Sequence, residues 1–303
     1  MEHWHRSGQA LLNEISTTRL PASQLAVWSI GQCGFIFKYE DTVVCIDPVL
    51  SDLTGPSGSR RCYPAPFAPE ALRADLVLCT HGHADHMAKD TLRGLTRHPA
   101  ARFVLPAGCS ALAAEYGIPA DRITTVQEGS ILPLGGVTVR AFSAAHPEHI
   151  LDAGAPGMAL GYQLTFGGFT VVHLGDTYLT PHLYETLQAL PRPDLLLAPI
   201  NGQDFFRTQR NCIGNLEAEE PLSWPSGWAR PAPSPPITTW CRATPWTRCG
   251  SLRPCVSWTP PPVSPCLRWA SGCSSRPLQA GRTAVFSPAR RRPRPSSDSL
   301  CCG

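Results

Sequence analysis

Thr80-His81-Gly82-His83-Ala84-Asp85-His86 follows directly on the apolar run Asp75-Leu76-Val77-Leu78-Cys79. The run is nearly continuous in apolar side chains, the pattern of a strand covered on both faces. His81 and His83 stand two residues apart, so on extended backbone their imidazoles leave the same side. Asp85 and His86 come after a turn and can face a second point. Imidazole and carboxylate together suit Zn²⁺, Mn²⁺ or Fe²⁺. Such a density of metal-binding side chains at the end of a strand is specific; the bland alternative is a solvated histidine-rich loop.

Upstream, residues 25–30, 34–39 and 42–46 read as strands, the last two separated by the turn-like pair Glu40-Asp41 and running into Asp47-Pro48. Downstream, residues 88–96 and 110–116 read as helices, and 137–142, 160–165, 170–174 and 195–199 as strands. A helix near 181–190 separates the last two strands. Strands and helices interleave, so the class is α/β, and no internal repeat is present.

A first-row metal needs more donors than one loop supplies. His146, after the strand at 137–142 and before Pro147, is a candidate. Asp176 in Leu174-Gly175-Asp176-Thr177 ends another apolar strand. A carboxylate beside glycine there can reach between two ions, although a helix cap would look the same. His149 and Asp152 are candidates to orient ligands, and Asp47, at a strand end, to hold a ligand histidine by a hydrogen bond.

At 303 residues and 43% apolar, the chain can bury a full core. It has no run of about 18 apolar residues to span a membrane, and residues 1–20 lack the order of a signal peptide. The expected location is therefore the cytoplasm. The thirteen cysteines are odd in number and irregular in spacing, and Cys45 and Cys79 sit inside apolar runs. Reduced, buried thiols are the ordinary reading.

The net charge of +3 hides two opposite parts. Residues 1–220 carry 15 Lys and Arg against 22 Asp and Glu, a net of −7, while residues 221–303 carry 11 Arg and one acid, a net of +10. An acidic body argues against a nucleic-acid surface and leaves a small molecule as the expected substrate. Nothing in the sequence excludes a homo-oligomer.

Residues 221–303 form a different regime. They hold 16 of the 32 prolines, 6 of the 8 tryptophans and 7 of the 13 cysteines, with no His, Tyr, Lys, Glu, Asn or Met. No apolar period persists, and an irregular segment is expected. The composition is that of GC-rich DNA translated out of frame. Reading the third base of each codon with the first two of the next, Pro236-Ile237-Thr238-Thr239 permits His-His-Asp.

His81, His83, Asp85, His86, His146 and Asp176 together resemble the ligand set of the metallo-β-lactamase superfamily. The surrounding text is similar to its L-ascorbate-6-phosphate lactonase branch in Leu12-Asn13-Glu14-Ile15, Trp28-Ser29-Ile30-Gly31-Gln32-Cys33-Gly34, Tyr63-Pro64-Ala65-Pro66-Phe67, Gly175-Asp176-Thr177, Pro199-Ile200-Asn201-Gly202 and Gly214-Asn215-Leu216. The likeness runs from about residue 10 to 220. It implies an αβ/βα sandwich over residues 1–220, with one or two divalent ions, Zn or Mn, at one edge of the sheets. It also implies a hydrolase that activates water against a lactone or ester of a small sugar acid, possibly a phosphorylated one. Asp85 would orient or deprotonate the water. Asn201, Arg207 and Arg210 would meet the substrate's anionic group, with Arg60 and Arg61 as weaker candidates. A phosphodiesterase or nuclease is the rival enzyme. The superfamily supplies a last histidine ligand near its C-terminus, and this chain has no histidine after His182. A catalytically impaired product is therefore the reading from another class. The permitted His-His-Asp falls where that ligand is expected.

Overall fold

Antiparallel hairpins build one half of the first sheet and parallel crossovers the other. Strands β1 (Leu25–Gly31), β2 (Gly34–Tyr39) and β3 (Thr42–Ile46) pair antiparallel, with Phe37 opposite Val44. Strands β4 (Leu76–Leu78), β5 (Arg102–Pro106) and β6 (Ile123–Val126) then join β3 in parallel. Parallel neighbours need a crossover. Helix α2 (Lys89–Leu95) links β4 to β5, and α3 (Ser110–Glu115) links β5 to β6. The second sheet holds β7 (Ile131–Leu134), β8 (Val137–Ser143), β9 (Leu160–Phe166), β10 (Phe169–His173) and β11 (Leu195–Leu197), in the order β11-β10-β9-β8-β7. Helix α4 (Pro181–Ala189) crosses over from β10 to the parallel β11. The computed structural model describes residues 6–52, 64–146, 158–209, 214–221 and 283–286.

Alternation along the strands explains why they read as unbroken apolar runs. Val27, Phe35, Phe37, Val44 and Ile46 point to the same core as Val139, Tyr162, Leu164, Phe166 and Val171 of the second sheet. Their neighbours Trp28, Ile36, Val43 and Cys45 point the other way, to a second core shared with Leu92 and Leu95 of α2 and Ala113 of α3. Leu11 and Ile15 of α1 (Gly8–Thr17), one turn apart, complete that layer. Leu183 and Leu187 of α4 cover the outer face of the second sheet on Val172, Leu174 and Leu196. The central strands of both sheets are thus buried on both faces, and the layers run helix, sheet, sheet, helix: the expected αβ/βα sandwich. Each large side chain buried this way contributes about 1.5–3 kcal/mol.

The expected strand at 75–80 ends early, and the reason bears on the site. Cys79 N still donates to Val104 O of β5 at 3.1 Å, and past it the backbone leaves the first sheet: Leu160 N donates to Thr80 O at 2.9 Å, and His81 forms a bridge with Ala159 at the start of β9. One chain segment therefore ties the two sheets together just where the histidine motif begins. Strands β5, β6 and β7 and helix α1 carry weaker local signals. Pro133 in β7 is tolerated because β7 is the end strand of its sheet, where a missing N–H breaks no ladder. Helix α1 opens on Gly8 with no side-chain cap.

The expectation of an irregular segment over 221–303 meets one exception. Strand β12 (Thr283–Phe286) lies in a stretch without proline and pairs antiparallel with β1 at the sheet edge, Leu25 opposite Phe286. The rest of 222–303 lies outside the described residues.

Candidate metal centre

Five chain segments converge at one edge of the sandwich. The histidine motif follows β4, Asp47 follows β3, His146 follows β8, Asp176 follows β10, and Cys33 sits in the turn between β1 and β2. Gly175 makes the convergence possible. Its φ is +65°, and a Cβ there would lie 2.9 Å from Thr80 Cβ and 3.0 Å from Leu160 O. Only glycine lets the chain carrying Asp176 pass so close to the segment that joins the sheets.

His81, His83 and His146 form the first cluster. His81 Nε2 lies 3.0 Å from His83 Nδ1, and His146 Nε2 lies 3.1 Å from the same atom. His81 and His146 are buried, whereas His83 is exposed. Three imidazole nitrogens this close fit the corners of a tetrahedron around an ion. Zinc–nitrogen bonds of about 2.0–2.1 Å place ligand nitrogens about 3.3 Å apart.

Cys33, His86 and Asp176 form the second cluster, their ligand atoms all within 4.8 Å of one another. Asp176 Oδ1 stands 3.3 Å from His86 Nε2, and its Oδ2 is 4.0 Å from His146 Nε2. One carboxylate therefore faces both clusters. His86 is held from behind, its Nδ1 2.8 Å from Asp47 Oδ2. Asp47 also accepts hydrogen bonds from Thr80 N and Thr80 Oγ1, each at 2.7 Å. That leaves Nε2 as the nitrogen directed at the site, a buried atom that faces Asp176 Oδ1 at 3.3 Å without a well-formed hydrogen bond. A buried polar atom without a partner is costly unless something fills the position it faces, and the donor set fits a divalent ion there.

The electrostatics are those of a site prepared for positive charge. Burial alone would push His86 down, but the carboxylates of Asp176 and Asp47 outweigh it and hold its pKa well above the usual histidine value. Burial opposes ionisation of Asp176 as well, yet His86, His81 and His146 hold its carboxyl far below the usual range. His81 is driven well down by burial, then by the charge of His86. His146 is lowered by burial. Low-pKa imidazoles are neutral near pH 7 and so available as ligands.

Among the other expected residues, Asp85 is half-buried and belongs to neither cluster, though its charge favours the protonated form of His146. Asn201 is half-buried just past β11. Arg207 lies on α5 (Phe205–Thr208), described for its backbone alone. His149, Asp152, Arg60, Arg61 and Arg210 lie outside the described residues. Sequence reasoning passed over Cys33 as a donor, and over His173, whose Nε2 is 3.1 Å from Cys33 O. The available signal for Cys33 was its place between two glycine-bounded strands, opposite no apolar partner in the text. His173, one position before Leu174-Gly175-Asp176, carried no signal beyond being a histidine in an apolar strand.

Comparison with known proteins decides the family. The profile described as "Beta-lactamase superfamily domain" matches residues 42–220. The chain belongs to the metallo-β-lactamase superfamily. Within it, a metal-dependent hydrolase of Chloroflexus aurantiacus is 32% identical over 191 residues, 58% of this chain and 77% of the relative. A Mycobacterium tuberculosis protein is 34% identical over 129 residues, 41% of this chain. This chain spans about a third, 35%, of the mycobacterial relative's length. The solved structure of a metallo hydrolase from Ignicoccus hospitalis aligns with a TM-score of 0.44 at 23% identity, over 59% of this chain and 72% of that one. Among the described residues, no helix is long and apolar enough to cross a membrane.

Proposed function

We propose that this member of the superfamily is a metal-dependent hydrolase that opens a lactone, or a related ester, of a small sugar acid. The observation that carries the hydrolase reading is the pair of donor clusters at the edge of the two sheets, with the Asp176 carboxylate of the second facing His146 of the first. The choice of lactone is supported by the stretches that resemble the lactonase branch. When bound, one or two zinc or manganese ions supply the Lewis acid that lowers the pKa of water and polarises the carbonyl. His81, His83 and His146 would hold one ion, and His86 with Asp176 the other. Asp85, outside both clusters, would orient the attacking water and take its proton at a carboxylate oxygen, the role the resemblance implies. Asp47 fixes the ring of His86 and leaves its Nε2 facing inward. Asn201, Arg207 and Arg210 are the proposed contacts to an anionic substrate group. Cys45, Cys79 and Cys109 are thiols outside any disulfide, which supports a reducing, cytoplasmic setting.

The test is hydrolysis of sugar-acid lactones by the full chain loaded with zinc or manganese, run beside a phosphodiester. Lactone opening should fall at least about a hundredfold on chelation and return with the ion. Phosphodiester cleavage without lactone opening would replace this substrate class. Retained metal with no turnover of either would remove the hydrolase reading.

We also infer that the last histidine ligand is encoded in the shifted frame opposite residues 236–239. Its support is the composition of 221–303 and the lack of histidine after His182. Sequencing the DNA for residues 205–303 should reveal one missing or extra base near codons 216–224. An uninterrupted frame as read, with stops in the alternative, would rule it out.

A further inference from the structure

We propose that Cys33 is a sulfur ligand of the second ion, beside His86 and Asp176, and that this donor biases that position toward zinc over manganese. The inference rests on the metal-dependent reading above and goes beyond it in naming a third donor and a preference.

Three observations carry it. First, Cys33 Sγ, His86 Nε2 and the Asp176 carboxylate converge within 4.8 Å, with Sγ 4.0 Å from Asp176 Oδ1. Second, the His86 side chain is 1% exposed and its Nε2 has no hydrogen-bond partner, so a buried donor atom is directed into the same space. Third, the turn that carries Cys33 is fixed rather than loose. Gly31 and Gln32 both adopt positive φ, 85° and 53°. A Cβ on Gly34 would lie 2.9 Å from Asp47 O, so the turn packs against the segment that supports His86. Gly175 N donates to His173 Nδ1 at 3.1 Å, which leaves the ring's proton on Nε2. That Nε2–H donates to Cys33 O, also at 3.1 Å. His173 thereby sets the Cys33 turn and the Asp176 segment at a constant separation, as an orienting group behind a ligand does.

Donor counting points the same way. A catalytic zinc site uses about three protein ligands and leaves a fourth position open. Within this cluster His86 and Asp176 supply two, and Cys33 completes three. On binding, the Sγ–H bond breaks, its proton passes to solvent, and the sulfur electron pair forms the bond to the ion. Thiolate is a soft donor that suits zinc, whereas manganese prefers oxygen.

The experiment is a cobalt(II) titration of the metal-free full chain, followed by visible and near-ultraviolet absorption, on the native protein and on Cys33→Ser and Cys33→Asp. Circular dichroism establishes that each variant is folded. The native protein should take up two equivalents and show a sulfur-to-cobalt charge-transfer band. Cys33→Ser should lose that band and bind the second equivalent at least tenfold more weakly. Cys33→Asp, which substitutes an oxygen donor, should keep two equivalents without the band. Competition should favour zinc over manganese in the native protein and less so in Cys33→Asp. A band that persists in both variants assigns the sulfur to another cysteine and overturns the proposal, as do two tight equivalents in the native protein with no band. Absence of any cobalt binding overturns the metal-dependent reading itself, and is told apart by the missing visible absorption of the histidine cluster.

Discussion

Replacing Asp47 by alanine should destabilise the fold by about 3–5 kcal/mol, the usual cost of breaking a buried charge pair from one side. Asp47 is fully buried and organises three polar groups. Its Oδ1 accepts from Thr80 N, and its Oδ2 accepts from Thr80 Oγ1 and faces His86 Nδ1. Alanine leaves the Thr80 amide without a partner, and His86 Nδ1 with only its longer contact to Thr80 Oγ1 at 3.3 Å, in a buried space. Asp47→Asn separates this structural cost from the metal effect. The amide keeps the acceptor for Thr80 N but presents a donor to His86 Nδ1. The ring proton then moves to Nε2, the atom that would bind the ion. Asp47→Asn should fold with a smaller loss, yet hold the second ion about 10–100-fold more weakly. Urea titration measures the first effect and competition with a chromophoric chelator the second. Metal affinity unchanged in Asp47→Asn would show that His86 does not bind through Nε2.

Removing His81 should have the larger effect on activity. Loss of a group that merely orients a ligand costs about 10–100-fold, so loss of the ligand itself should exceed about a hundredfold in hydrolysis. His81 is also the residue that bridges to Ala159, but that contact uses backbone, which alanine preserves. His81→Ala should therefore keep its fold while its metal content drops by one equivalent, readable by elemental analysis. His98→Ala, outside both clusters, should match the native protein in both respects. Full activity in His81→Ala would dismiss the first cluster as the working site.

The legible part of this site was what one strand end displays by itself. The spacing of His81 and His83 and the apolar run before them point to ligands, because direction along a strand follows from period alone. His146 and Asp176 could be found by the same sign, a chemical group where an apolar run stops. Cys33 could not. It lies 143 positions from Asp176, and their approach depends on how two sheets stack, which no local pattern encodes. A cysteine in apolar text reads as a buried thiol, and the glycines beside Cys33 mark a turn without naming a donor. The four-layer arrangement came from the resemblance and from continuous apolar runs, which report burial on two faces without saying which layers supply it. Strand lengths were misjudged where tertiary structure intervenes. Residues 79 and 80 are as apolar or strand-like as 76–78, and it is the hydrogen bond of Thr80 O to Leu160 N in the second sheet that turns the chain out of β4.

That crossing of Thr80 and His81 from one sheet to the other has a mechanical meaning. His81, His83 and His86 stand on the first sheet's side, while His146 and Asp176 stand on the second's. An ion held by both sets acts as a rivet through two plates, and the packed layer between them sets the length of its shaft. The grip on the ion then depends also on side chains of that layer, such as Tyr162, whose hydroxyl donates to Cys79 O at 2.9 Å just before the crossing. The coupling also runs in reverse. An ion present at a hundred times its dissociation constant adds about 2.7 kcal/mol to the stability of the folded state, so loading the rivet clamps the plates against unfolding.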